Sequence, residues 1–157
     1  MRNELDIRWI VQTLREAAWA PLLLLCPVVL AEGIFDVFTR FPWVDIPAHF
    51  LGGIATTYFF WRAAANARSL AGHFQRVSQG VVAVGCTAGT TILWEISEFL
   101  ADRLLRAHMQ HGLGDTLSDI VFSLAGGVAY VVLRRVYAAP PGAQASPGAP
   151  DERACND

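Results

Sequence analysis

The sequence predicts an all-α integral membrane protein: a bundle of four transmembrane helices, with a short amphipathic helix before it and a disordered tail after it. Three observations carry this. Of the 157 residues, 54% are hydrophobic and only 17% charged, where a soluble domain carries about 25% charged residues. The apolar residues gather in four blocks, each near the roughly 20 residues that cross a bilayer as a helix. The last stretch of the chain is rich in Pro, Gly and Ala and has nothing with which to bury a core.

The elements follow in order. Residues 1–16 form the amphipathic segment: Leu5, Val11, Leu14 and Ala18 recur at helical spacing among charged residues, the pattern of a helix lying on a membrane surface. Residues 17–137 form the transmembrane domain. Its blocks run over about Ala17–Phe38, Ile46–Ala64, Val81–Leu100 and Leu117–Val136. Pro21 and Pro27 are placed to kink the first helix. Val29–Ala31 makes a passable signal-peptide cleavage site, but apolar character resumes past Glu32, so the block reads as a retained helix. Residues 138–157 form the disordered tail.

Orientation follows from arginine placement in short loops. Arg2, Arg8 and Arg15, then Arg62, Arg68 and Arg76, then Arg134 and Arg135 share one side of a four-helix topology. The other side has Arg40, Arg103 and Arg106. Both termini are therefore expected on the cytoplasmic side of a bacterial inner membrane.

Composition also excludes some classes. All 12 basic residues are Arg, and the net charge of −2 leaves no basic stripe for nucleic acid. The 3 cysteines form no CxxC pair and no disulfide framework; Cys26 and Cys86 read as small apolar side chains within the blocks. No P-loop, G-x-S-x-G or H-E-x-x-H motif occurs.

The acids are the informative residues. Of 14, 8 lie between Glu32 and Asp119, and all of these fall near the non-cytoplasmic ends of the expected helices. They are Glu32 and Asp36, Asp45, Glu95 with Glu98 and Asp102, and Asp115 with Asp119; His49 joins them. At about 100° per residue, Thr91, Glu95, Glu98 and Asp102 fall within an arc of roughly 60°. Asp45, His49, Gly52 and Thr56 share a face, as do Asp115, Asp119, Ser123 and Gly126. Glu95 lies about 10 Å deeper than Asp102 along a helix. Insertion scales put a central acid at about +2.5 to 3.5 kcal/mol, so Glu95, His49 and Asp119 are the members that most need a reason.

Plainer readings stand beside this. Asp45 fits an N-cap with Pro47 in the first turn. Thr116 and Asp119 fit a capping box. Asp102 fits an i,i+4 pair with Arg106, Glu32 and Asp36 fit solvated positions at a helix exit, and His49 fits a satisfied interior hydrogen bond. Gly85-x-x-x-Gly89, Gly52-Gly53 and Gly126-Gly127 fit close helix packing. Trp19, Trp43 and Trp61 fit an interfacial belt.

Carboxylates with one imidazole and no thiolate suit a divalent cation such as Mg²⁺, Mn²⁺, Zn²⁺ or Fe²⁺. Asp45, His49, Glu95, Glu98, Asp115 and Asp119 are the candidate ligands, and Glu95, Glu98 and His49 the candidate catalytic groups. The expected function is a metal-dependent one in the cell envelope, on a lipid-linked or phosphate-bearing substrate. The alternatives are a proton- or cation-coupled carrier, or a structural membrane protein whose acids pair with Arg103 and Arg106.

These residues carry a resemblance. Asp45 with His49, "WEISE" from Trp94 to Glu98, and "DTLSD" from Asp115 to Asp119 with Gly126-Gly127 resemble the YjdF-like bacterial inner-membrane proteins. More loosely the layout is similar to VanZ-like proteins. The resemblance spans about Phe41 to Leu133 and implies a fold and a location more than an activity. Members of the family often have additional membrane helices ahead of this core.

Overall fold

A computed structural model describes residues 2–35, 37–67, 76–105 and 112–137. Helix α1, Arg2–Ala17, meets helix α2, Trp19–Phe35, at a 58° bend. The bend has a local cause. Pro21 has no N–H to offer the Ala17 carbonyl, and its ring crowds that carbonyl. Pro27, by contrast, sits inside α2 without ending it.

A one-turn helix α3, Val37–Arg40, follows, then a 3₁₀ turn at Pro42–Val44. The Phe38 N–H in α3 donates to the Glu32 carboxylate at 2.8 Å. Glu32 is therefore engaged in closing a helix start rather than left to solvent. Three long helices complete the chain: α4, Asp45–Asn66, α5, Arg76–Leu105, and α6, Leu113–Tyr137. No strand occurs among the described residues. Asp36, Arg68, Arg106 and the tail expected over 138–157 lie outside the described residues.

By length and composition, α5 and α6 are apolar enough to cross a membrane, and α1 with α2 adds a third such span if the bent pair counts as one. Helix α4 is long enough at 22 residues but does not meet the same test. The reason lies in its position. It packs against α1, α2, α5 and α6, so its surface meets protein, which accepts polar side chains that lipid does not.

The surface and interior are inverted relative to a water-soluble protein. Leu22, Leu23, Val81, Leu93, Val121 and Val132 are exposed, while Thr57, Gln79, Thr87, Glu95, Asp119 and Ser123 are buried. Cys26 and Cys86 are also on the outside. The buried polar groups are matched with one another. The Thr57 and Thr87 hydroxyls are 2.8 Å apart and Thr87 donates to the Ala83 carbonyl at 3.0 Å. Gln79 donates to the Trp61 carbonyl at 2.8 Å.

Trp61 corrects the belt expectation. Trp19 and Trp43 are exposed, but Trp61 is buried against Ala83 and Val131 with the Arg134 guanidinium over its ring. The glycines also divide. A Cβ on Gly53 would overlap the Ser123 backbone, and one on Gly126 the Phe50 carbonyl, so α4 and α6 touch through their backbones. A Cβ on Gly52, Gly85 or Gly89 would meet nothing within 4 Å. Among the described residues, the Gly85-x-x-x-Gly89 pair thus packs no other helix closely.

Helix α1 turns its apolar stripe outward. Val11 and Leu14 are exposed while Thr13 and Ala17 are buried. Its inner edge is polar: Glu16 pairs with Arg62, the Asn66 amide donates to Thr13 at 3.1 Å, and the Tyr58 hydroxyl donates to the Glu16 carbonyl at 3.2 Å.

Candidate functional site

The close crossing of α4 and α6 determines which polar residues meet. His49, one turn above Gly53 on α4, is brought against Asp119 and Ser123 on α6. His49 Nε2 lies 3.4 Å from an Asp45 oxygen and 3.8 Å from an Asp119 oxygen. On the other edge of the ring, His49 Nδ1 lies 3.3 Å from Ser123 Oγ. One ligand atom from each of Asp45, His49 and Asp119 falls within 4.8 Å of the other two. The His–Asp spacings suit a shared cation: bonds of about 2.0–2.2 Å place tetrahedral ligand atoms about 3.4 Å apart.

Asp45 and Asp119 do not serve as helix caps. Helix α4 begins with Asp45 already helical, and the residue before it, Val44, makes no side-chain cap bond. Helix α6 begins at Leu113, so Thr116 is inside the helix, where its N–H bonds the Gly112 carbonyl at 3.2 Å. The Thr116 side chain instead bonds Glu95 on α5.

Glu95 is 5% exposed, and its Oε1 is buried without a hydrogen-bond partner. Its charge lies within reach of His49, Asp115 and Asp45. A buried carboxylate oxygen with an open lone pair is costly unless something cationic or protic completes it. Glu98, one turn on, accepts from its own helix: Trp94 Nε1 donates to it at 2.7 Å.

These groups line a cavity of about 370 Å³. Asp45, His49, Glu98, Asp115, Asp119 and Ser123 are part of its lining, from α4, α5 and α6. The α2 contribution to the lining is wholly apolar, Pro21, Leu24, Leu25 and Val28, and Phe38, Phe59 and Phe60 add rings to it. Of the six candidate ligands, three therefore form the tight cluster, Glu98 and Asp115 line the space beside it, and Glu95 lies within its electrostatic reach. Asp102 is half-buried near the end of α5 and outside the lining.

Sequence reasoning placed Ser123 on the Asp115–Asp119 face without giving it a role, gave Thr116 a capping role, and did not single out the α2 residues. Ser123 carried a usable signal, since it lies one turn from Asp119 on the same face. The α2 residues carried none, because lipid-facing and cavity-facing leucines look alike in a sequence.

Together the fold and site define an all-helical membrane protein with a partly buried His/Asp cluster between two of its helices. The chain belongs to the family of predicted membrane proteins DUF2238, whose profile matches residues 9–139. It is similar to an uncharacterized protein of Thermotoga maritima, 34% identical over 92 residues, which is 57% of this chain and 45% of that protein. The chain thus spans less than half the length of that relative. No solved structure matches it.

Proposed function

We propose that this protein is a four-span integral protein of the bacterial inner membrane that holds a divalent cation near the non-cytoplasmic face, for a metal-dependent envelope function on a lipid-linked or phosphate-bearing substrate. Helices α2, α4, α5 and α6 are the spans, α1 lies on the cytoplasmic surface, and both termini are cytoplasmic. The YjdF-like and, more loosely, VanZ-like resemblance fits this location.

The observation that carries the reading is the Asp45–His49–Asp119 cluster, whose ligand atoms lie within 4.8 Å of one another. His49 Nε2 is the nitrogen that binds the cation, and Nδ1–H then donates to Ser123 Oγ. Such an outer bond holds a metal-binding imidazole in one tautomer and orientation. Asp115 and Glu95 add negative charge around the cation. Glu98, lining the cavity beside the cluster, is the candidate general base.

A carrier reading has one observation in its favour, the buried polar run Thr91, Thr87, Thr57 and Gln79 below Glu95. However, the Thr57, Thr87 and Gln79 side chains are bonded to protein at 2.8–3.0 Å and are almost fully enclosed. That favours a site over a through-path. The structural reading has the acids pair with Arg103 and Arg106; Arg106 lies outside the described residues, and Arg103 lies over the Phe99 ring, 5.3 Å from its centroid.

The test is elemental mass spectrometry on detergent-purified protein, as isolated and after reconstitution with Mn²⁺ or Zn²⁺. Near-stoichiometric metal in the wild type is expected, lost in His49→Ala and Asp119→Asn. Full occupancy in both variants, or none in a folded wild type, defeats the reading. Proton or cation flux in liposomes that Glu95→Gln abolishes establishes the carrier instead.

A further inference from the structure

We propose that the cavity takes a single amphiphile with a phosphate head, the head bound to the cation at Asp45, His49 and Asp119 and the apolar chain lying along α2. This rests on the metal reading above and names the substrate class for it.

The cavity walls carry the argument. Its volume, about 370 Å³, is at the small end of the roughly 300–1,000 Å³ of ligand pockets. Its lining has two parts, the carboxylates with an imidazole, and the apolar Pro21, Leu24, Leu25 and Val28 of α2 with Phe38, Phe59 and Phe60. Inorganic phosphate has no use for the second part, and a plain hydrocarbon has none for the first. Leu24, Leu25 and Val28 line the cavity, while Leu22 and Leu23 of the same helix are exposed and outside the lining, so α2 carries apolar side chains both toward the cavity and away from it. An amphiphile already dissolved in the membrane is the ligand that meets both parts.

Charge decides the role of the cation. No Arg lines the cavity among the described residues, while Asp45, Glu98, Asp115 and Asp119 do. An anionic head entering alone meets four carboxylates against one imidazole and a few hydroxyls. A cation held by three protein groups keeps open coordination positions, and these are the main attraction for a phosphate oxygen. The unpartnered Glu95 oxygen, in a residue 95% buried by its 5% exposure, independently marks this end as built for positive charge. Anion binding here therefore depends on the metal.

The experiment uses the full chain in a neutral maltoside detergent, with Mn²⁺ as the metal and decyl phosphate as the probe. Bound Mn²⁺ broadens the phosphorus resonance of a phosphate in its coordination sphere. Expected is broadening of decyl phosphate that vanishes without Mn²⁺, and competition by inorganic phosphate at least about tenfold weaker, since burying two methylenes suffices for that factor. Leu24→Trp, which fills the apolar side, keeps Mn²⁺ but loses the decyl phosphate signal; Val28→Trp serves the same purpose if Leu24→Trp does not fold. Three results overturn the inference and leave the metal site standing: bound Mn²⁺ with no broadening, equal competition by inorganic phosphate, or displacement of Mn²⁺ by decyltrimethylammonium. Absence of Mn²⁺ binding overturns the metal reading itself.

Discussion

Gly53 of α4 lies against the backbone of Ser123 of α6 with no room for a Cβ between them. The contact joins packing to chemistry, because Ser123 also holds the His49 ring. Gly53→Ala forces the helices apart. We expect a loss of about 1–3 kcal/mol, the usual range for overpacking, with weaker Mn²⁺ binding as His49 moves from Asp119. Gly89→Ala meets nothing and should be neutral or stabilising by up to about 1 kcal/mol, as for Gly→Ala in a helix. Thermal unfolding of both variants in one detergent checks the pair; equal melting temperatures contradict it.

Ser123 itself has a measurable role. Ser123→Ala removes a hydroxyl without adding volume and frees His49 to rotate. Loss of such an outer partner costs about 10–100-fold in metal affinity. Mn²⁺ titration followed by electron paramagnetic resonance should show that drop with the fold intact. An unchanged affinity means that packing alone positions the imidazole.

The hydroxyl pair between α4 and α5 is a test of interior polarity. Thr57→Val keeps the volume but takes the donor from Thr87, whose own hydroxyl remains on the Ala83 carbonyl. Interhelical hydrogen bonds within membranes average about 0.6 kcal/mol, with a maximum near 1.7, and the variant should fall in that range. A stabilised Thr57→Val shows that an apolar α4–α5 contact serves better.

Glu16 fastens α1 to the bundle through Arg62 and Asn66 of α4, while the Gln12 amide of α1 itself also donates to it. Glu16→Ala should loosen α1 and leave α4–α6 as they are. Hydrogen exchange resolved by peptide is the check, with faster exchange confined to residues 7–17. Exchange that rises throughout the bundle identifies Glu16 as part of its general stability instead.

Much of the site was legible because helical phase alone puts Asp45 with His49, and Asp119 with Ser123, on single faces. The inward face of α5 that buries Glu95 was legible for the same reason. What phase cannot give is the register between helices. Here it is set by Gly53 on Ser123 and Gly126 on Phe50, and it brings three of six candidate ligands into the tight cluster. The Gly85-x-x-x-Gly89 spacing showed where a close approach fits but not that any helix makes one. Trp61 was misplaced because aromatic residues near a helix end serve a belt or a core equally, and Arg134 over its ring settles the matter only in three dimensions. The fold was legible as helices; α4 escaped a hydropathy test because it is the helix the others surround.

That enclosure bears on how the protein is made. Helix α4 leaves the ribosome before α5 and α6 exist, with Asp45, His49 and Thr57 on its surface. Alone in a bilayer it has no partner for them, and ionisable groups facing lipid are costly. On the four-span reading, its residence in the membrane depends on sequence yet to be synthesised, above all on the α6 face that receives Gly53. A chain ending before Leu113 should leave α4 exposed to quality control, its stability owed to a neighbour that never arrived.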